Sequence, residues 1–166
     1  MVMLRNLLVL ILVSLPTAVF AEWRTDLQGP DVFGEKSGTV WVVLNTSKDI
    51  LRGECNSNGK YHLNWLIQTM EPITDVRSLS GTLVMKTNSG AALSLGATLR
   101  AWNEDYVALS SVNDPKSLEF LKAASNASGN IELGYLIPDI DNKVSGSATT
   151  QGSRLNINKF IEHCGI

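Results

Sequence analysis

The sequence is poor in the residues that build most metal and nucleophile sites. Its 166 residues include only two histidines, His62 and His163, and two cysteines. A zinc site normally takes several His, Cys or carboxylate ligands at regular spacings, and neither histidine lies in such a pattern. The sequence also lacks the Gly-x-Ser-x-Gly elbow, the P-loop and the Rossmann glycine motif. We therefore expect no metal, no cofactor and no catalytic residue, and we interpret the chain as a non-enzyme.

Charge is also scarce. Charged residues make up 18% of the chain, the formal net charge is −2, and no run of Lys or Arg occurs. Proteins that bind nucleic acids need a concentrated basic patch, because the phosphate backbone dominates their affinity. The composition therefore argues against a nucleic acid as a partner.

Only one stretch is apolar enough to suggest membrane targeting. Residues 7–15 form an uncharged apolar run that follows Arg5 and ends at Pro16, and Val19 and Ala21 supply small residues for a signal peptidase site. This layout is typical of a secretory signal. The alternative, a membrane anchor, needs about 20 apolar residues. We predict that residues 1–21 are a cleavable signal peptide.

The expected mature chain is a single exported domain, residues 22–166. Loss of Arg5, the one charged residue of the signal, takes the formal charge from −2 to −3. A chain of about 145 residues buries enough surface for one hydrophobic core. The mature chain has no second long apolar stretch, so we expect no membrane span and place the protein in the periplasm or the extracellular medium.

The two cysteines, Cys55 and Cys164, lie 109 residues apart. An even number of cysteines in an exported chain favours a disulfide bond, because such compartments oxidise thiols. The alternative is a pair of buried free thiols. A bridge would join an early strand to the last helix.

The apolar pattern predicts a mainly β fold, either an antiparallel sandwich or a curled sheet, with two short helices. Residues 61–67 alternate, with Tyr61, Leu63 and Trp65 on one face and His62 and Asn64 on the other. The strands are expected at residues 40–44, 50–55, 61–67, 79–87, 91–102, 106–110, 131–137 and 144–150. Residues 29–38 are rich in turn formers, so we expect irregular structure there.

Two segments change to a helical period. Asp114 and Pro115 are typical of a helix start, and the helix is expected to end near residues 125–130. The second helix is expected over residues 153–163, at the C-terminus. Ile157, Phe160, Ile161 and Cys164 fall on one stripe of that helix, followed by Gly165 as a C-terminal cap. Cys164 is therefore expected to face the core.

One loop combines two acids with two aromatic residues: Trp102, Glu104, Asp105 and Tyr106. Such a loop could contact a sugar or a peptide, and we take these four residues as candidate partner contacts. The alternative is a solvated hairpin tip. The other tryptophans are expected to pack: Trp41 and Trp65 as core residues of strands, and Trp23 in a less regular segment where an anchoring role is the alternative.

Short segments resemble a group of bacterial periplasmic proteins. They are Glu22-Trp23-Arg24-Thr25, Leu51-Arg52-Gly53-Glu54-Cys55, residues 117–123, residues 152–157 and His163-Cys164-Gly165-Ile166. The order resembles TagO-like proteins associated with type VI secretion and is similar to the invasion-associated locus B group. The resemblance implies a non-catalytic periplasmic accessory role and pairs the two cysteines. It carries over no catalytic residue.

The functional hypothesis is therefore a periplasmic accessory or interaction protein, associated with type VI secretion or another envelope function. Its partner would be an envelope or secretion-system protein. The alternative is a small binding or inhibitor module that acts on an envelope hydrolase, since loops on β-rich scaffolds often carry binding function.

Overall fold

The computed structural model describes residues 22–45, 48–56, 58–69, 76–88, 90, 92–112 and 114–166. The predicted signal peptide, residues 1–21, lies outside the described residues, so its role stays a prediction.

The described chain forms one antiparallel sheet of nine strands that is not closed, and two α-helices. The strands are β1 Arg24–Gln28, β2 Ser37–Val43, β3 Ile50–Cys55, β4 Tyr61–Gln68, β5 Ser80–Lys86, β6 Leu93–Ala101, β7 Tyr106–Val112, β8 Asn130–Ile137 and β9 Asn142–Thr149. The helices are α1 Pro115–Asn126 and α2 Ser153–Cys164, and a 3₁₀ turn spans Pro138–Ile140. The predicted mainly β class, with the second helix at the C-terminus, is confirmed, and the sheet is a single one.

The order of strands is β1-β2-β3-β4-β7-β6-β5-β8-β9. Two backbone hydrogen bonds link the ends of this curled sheet: the amide of Trp23 donates to the carbonyl of Gln151 at 3.1 Å, and that of Asn45 donates to Ser147 at 2.8 Å. The curl gives the sheet an inner face that surrounds the core and an outer face that meets solvent.

Both helices pack against the core inside the curl. Phe120 and Leu121 of α1 and Ile157 and Phe160 of α2 are at most 2% exposed. Gly53 makes room for them, because a Cβ atom there would lie 3.1 Å from Val40 Cγ1 and 3.3 Å from Leu121 Cδ1. A side chain on this strand position would therefore push the helices away from the sheet.

The disulfide between Cys55 and Cys164 is confirmed, with the two Cα atoms 6.0 Å apart. It joins the end of β3 to the last turn of α2. Gly38 lies opposite Cys55 on β2, and a Cβ atom there would be 3.4 Å from each sulfur. The glycine thus leaves the space that the bridge occupies.

The helix ends follow the predicted chemistry. The Asp114 carboxylate caps α1 by accepting a hydrogen bond from the amide of Lys116 at 2.9 Å. Gly165 ends α2 in the left-handed region at φ 66°, with its amide bonded to the carbonyls of Ile161 and Glu162. A residue with a Cβ atom is disfavoured in that conformation, which explains the glycine.

Strand β1 was not predicted. Its five residues form an edge strand in which no residue is fully buried, so the apolar alternation is weak. Helix α2 covers part of this edge: Asn156 Nδ2 donates to the carbonyl of Trp23 at 2.8 Å, and His163 Nε2 lies 3.2 Å from the carbonyl of Gln28. The strand is therefore held by its pairing with β2 and by a helix more than 120 residues away in sequence.

Candidate functional site

The predicted contact loop is the hairpin between β6 and β7. The Asn103 side chain shapes it, because Oδ1 accepts hydrogen bonds from the amides of Asp105 and Tyr106, both at 2.9 Å. The side chains of Glu104 and Asp105 are exposed, as expected for a solvated tip, whereas Trp102 and Tyr106 are half-buried. The loop therefore exposes its two carboxylate side chains more than its two aromatic rings.

The Trp102 indole lies between two arginines on the outer face. Its ring centroid is 5.7 Å from the guanidinium carbon of Arg52 and 5.4 Å from that of Arg100. Arg52 is on β3 and Arg100 on β6, with β4 and β7 between them. The indole therefore lies across β4 and β7. Their paired residues Leu66 and Ala108 are 3% and 0% exposed although they belong to the outer face.

A hydrogen-bonded network continues from Trp102 along the same face. Asn64 is 0% exposed, and its Oδ1 accepts a hydrogen bond from Ser110 Oγ at 2.6 Å. Its Nδ2 donates to Glu54 Oε2 at 3.3 Å, and Arg100 Nε donates to Ser110 Oγ at 2.7 Å. Asn64 lies on the predicted face of β4, opposite Trp65, and side chains of neighbouring strands cover it. We call Arg52, Glu54, Asn64, Arg100, Trp102 and Ser110 the outer-face network.

Arg52 and Glu54 form an ion pair within the network. Arg52 Nε lies 2.7 Å from Glu54 Oε1, but the N–H group does not point at the oxygen and has no aligned hydrogen-bond acceptor. About a third of the Arg52 side chain and a quarter of that of Glu54 are exposed. Water screens a pair of this kind, so it adds little to stability. The pair places the guanidinium and the carboxylate side by side on the outer face.

Beside the network the outer face has an open groove of about 400 Å³ between β1 and β4. Its lining is mostly polar and includes Asp26, Gln28, Ser37, Thr39, Arg52, Glu54, Asn56 and His62. We call this the outer-face groove. Pockets that bind small ligands commonly have volumes of about 300–1,000 Å³, and the volume of the groove falls in this range.

Partial burial lowers the pKa of His62, and the positive charges of Arg100 and Lys60 lower it further, while Glu54 opposes them. Its Nδ1 atom is buried and has no hydrogen-bond partner. Burial and the two cations both disfavour the imidazolium form. His62 is therefore a neutral group of the groove at neutral pH.

The prediction that Trp41 is a core residue was wrong. Trp65 is 1% exposed on the inner face, as expected, but Trp41 is half-buried on the outer face, with the Arg24 guanidinium carbon 5.5 Å from its ring centroid. Trp41 pairs with Arg52 on the neighbouring strand and follows Thr39 on the same face. It therefore lies next to the groove, beyond Thr39 and Arg52, and does not line it. Trp23, by contrast, is 1% exposed and packs in the core.

A second exposed feature is the loop between β1 and β2. Val32 and Phe33 are 92% and 85% exposed. The loop is held by Asp31, whose Oδ1 accepts hydrogen bonds from the amides of Phe33 and Glu35, both at 2.8 Å. Two large apolar side chains are thus presented to solvent on an ordered turn.

Sequence reasoning missed Arg52, Glu54, Asn64 and Arg100 as site residues. Arg52 and Glu54 alternate with buried positions of β3, which signals a shared face. Arg100 approaches Asn64 because β7 and β6 follow β4 in the order of the sheet. No pattern in the sequence predicts this strand order.

Within the described residues, no three His, Cys, Asp or Glu side chains cluster as a metal site would require. Neither helix in that part of the chain is long and apolar enough to cross a bilayer. In comparisons with known proteins, no family model, no curated protein and no solved structure matches the chain.

Proposed function

We propose that this chain is an exported, non-catalytic accessory protein that works by binding, and that it binds through the outer-face network and groove. The observation that supports this proposal is the network itself, in which side chains from β3, β4, β6 and β7 form hydrogen bonds with one another beside an open groove. A site whose side chains are fixed before binding loses less entropy when a partner arrives.

The disulfide and the resemblance of the sequence support the location. A bridge between Cys55 and Cys164 suits an oxidising compartment. The resemblance to TagO-like and invasion-associated locus B-like proteins favours the periplasm and a partner in the envelope or the secretion apparatus. For these two reasons we propose that the binding partner is part of the cell envelope or of the secretion apparatus.

The test is capture of secretion-apparatus or envelope components by the exported, tagged chain. Recovery should fall at least tenfold for Arg100→Ala, which removes one side of the network. Arg154→Ala changes another exposed arginine, on α2, and serves as the matched control. Equal recovery by both variants, with both folded, would contradict the proposal.

A second candidate function, inhibition of an envelope hydrolase, is favoured by the loop at residues 29–36. Exposed large apolar side chains on an ordered loop suit insertion into an enzyme cleft, and aromatic residues often anchor such contacts. Phe33 meets this description better than Trp102, whose ring already lies between Arg52 and Arg100.

The inhibitor function predicts a stoichiometric block of a muramidase acting on cell walls. Phe33→Ser should abolish the block without changing the stability of the chain, because the side chain is exposed. Leu155→Ser, at an exposed leucine of α2, is the control. No inhibition by the oxidised wild-type chain at a molar excess would exclude this function.

A further inference from the structure

We infer that the outer-face groove binds a neutral oligosaccharide, an inference that rests on the proposed binding function and names its ligand class. The groove is lined by hydroxyl, amide and paired charged groups, and Trp41 lies next to it on β2.

Of the three charged side chains that line the groove, Arg52 and Glu54 compensate each other, and Asp26 leaves one net negative charge. Arg52 is paired with Glu54 at 2.7 Å, and the second Glu54 oxygen accepts a hydrogen bond from Asn64. Asp26, which lies across the groove, contacts the amide of Gln28 at 3.4 Å. With two carboxylates and one guanidinium the groove has no cationic excess, so an anionic ligand gains little there.

The groove also offers hydrogen-bonding groups that the protein does not use. Among the described residues, the hydroxyls of Ser37 and Thr39 have no partner within the protein, although both side chains line the groove. Asn56 uses its Oδ1 to accept from the amides of Asn58 and Lys60, which leaves its Nδ2 as a donor. Hydroxyls donate and accept, so they suit a ligand that is itself rich in hydroxyls.

Trp41 supplies an aromatic surface next to these groups. It follows Thr39 on the same face of β2 and is half-buried, with the Arg24 guanidinium carbon 5.5 Å from its ring centroid, so only the part of the indole not covered by Arg24 is open to a ligand. The C–H face of a sugar ring is apolar and packs on an indole, while its hydroxyls need polar partners at the edge. The register places both kinds of group along one line, from Ser37 through Thr39 to Trp41.

The test is calorimetric titration of the oxidised chain, residues 22–166, with an N-acetylglucosamine tetramer and a glucose tetramer. At least one should bind, with an affinity that salt hardly changes. Thr39→Val removes a hydroxyl at nearly constant volume and should weaken binding about fivefold, the loss expected for one hydrogen bond. Trp41→Leu should weaken it at least tenfold.

Thr98→Val is the matched control, because Thr98 is an exposed threonine on the outer face of β6 outside the groove. It should bind as the wild type does. Polygalacturonate and a lysine oligomer test the charged alternatives. Binding by either of these alone, with affinity that falls steeply with salt, or binding by no probe, would overturn the inference.

The capture experiment separates this failure from that of the proposed function. If no oligosaccharide binds but Thr39→Val and Trp41→Leu still reduce the recovery of envelope components, the ligand class is wrong and the binding function stands. If the variants change neither measurement, the oligosaccharide inference is wrong, and the proposed function is wrong as well if Arg100→Ala also leaves the recovery unchanged.

Discussion

The indole of Trp65 donates a hydrogen bond from Nε1 to Oδ2 of Asp49 at 2.9 Å, and both residues are buried, at 1% and 6% exposed. Asp49 lies just before β3, and Trp65 is on β4. The Trp65 ring also meets Tyr135 of β8 edge-on, with centroids 5.2 Å apart. This contact therefore links the entry to β3 with the far side of the core.

Removal of the Asp49 carboxylate should destabilise the fold. Asp49→Ala leaves the buried Trp65 N–H without its acceptor, which costs about 1–3 kcal/mol of unfolding free energy. Asp49→Asn keeps an acceptor oxygen and should cost less. Urea unfolding followed by tryptophan fluorescence measures both changes, and equal stability of all three chains would contradict the prediction.

Loss of the disulfide should be the largest single effect. The bridge closes a segment of 109 residues, and the chain-entropy model gives about 4–5 kcal/mol for a loop of this size. The double variant Cys55→Ala and Cys164→Ala should therefore unfold at a much lower urea concentration than the oxidised chain. Adding a reductant to the wild type should have the same effect, and none on the variant.

Gly53 should not tolerate even a methyl group. Gly53→Ala places a Cβ atom 3.1 Å from Val40 Cγ1 and 3.3 Å from Leu121 Cδ1, so we expect a loss of about 1–3 kcal/mol. Gly96→Ala is the matched control, because nothing lies within 4 Å of a Cβ atom there. Thermal unfolding compares the two, and an equally stable Gly53→Ala chain would show that the helices can move.

His62 should make the fold sensitive to mild acid. The pKa of His62 is lowered in the folded chain, mainly by burial and then by Arg100, so the unfolded chain takes up its proton first. Stability is therefore complete above the usual pKa of 6.5 and falls as the pH drops through the folded value. His62→Gln should reduce the difference in unfolding free energy between about pH 5 and about pH 8. An unchanged difference would contradict this.

The local sequence pattern was sufficient to predict most of the strands and both helices. The alternation of residues 61–67, the cap at Asp114 and the stripe of Ile157 and Phe160 predicted β4, α1 and α2, because each signal is contained in a few neighbouring residues. Edge strand β1 lacked such a signal. Trp41 was misplaced because a tryptophan in a strand says nothing about which face is covered.

The sequence by itself determined a β-rich domain with two helices, since periodicity and turn chemistry are local. It also indicated the pair Cys55 and Cys164, which the folded chain confirms. Only the tertiary structure decided the order in which strands pair, because β4 meets β7 rather than β5 through contacts distant in sequence. That order sets Arg52 and Arg100 on either side of Trp102 and leaves a polar groove beside them, so the candidate site follows from long-range pairing.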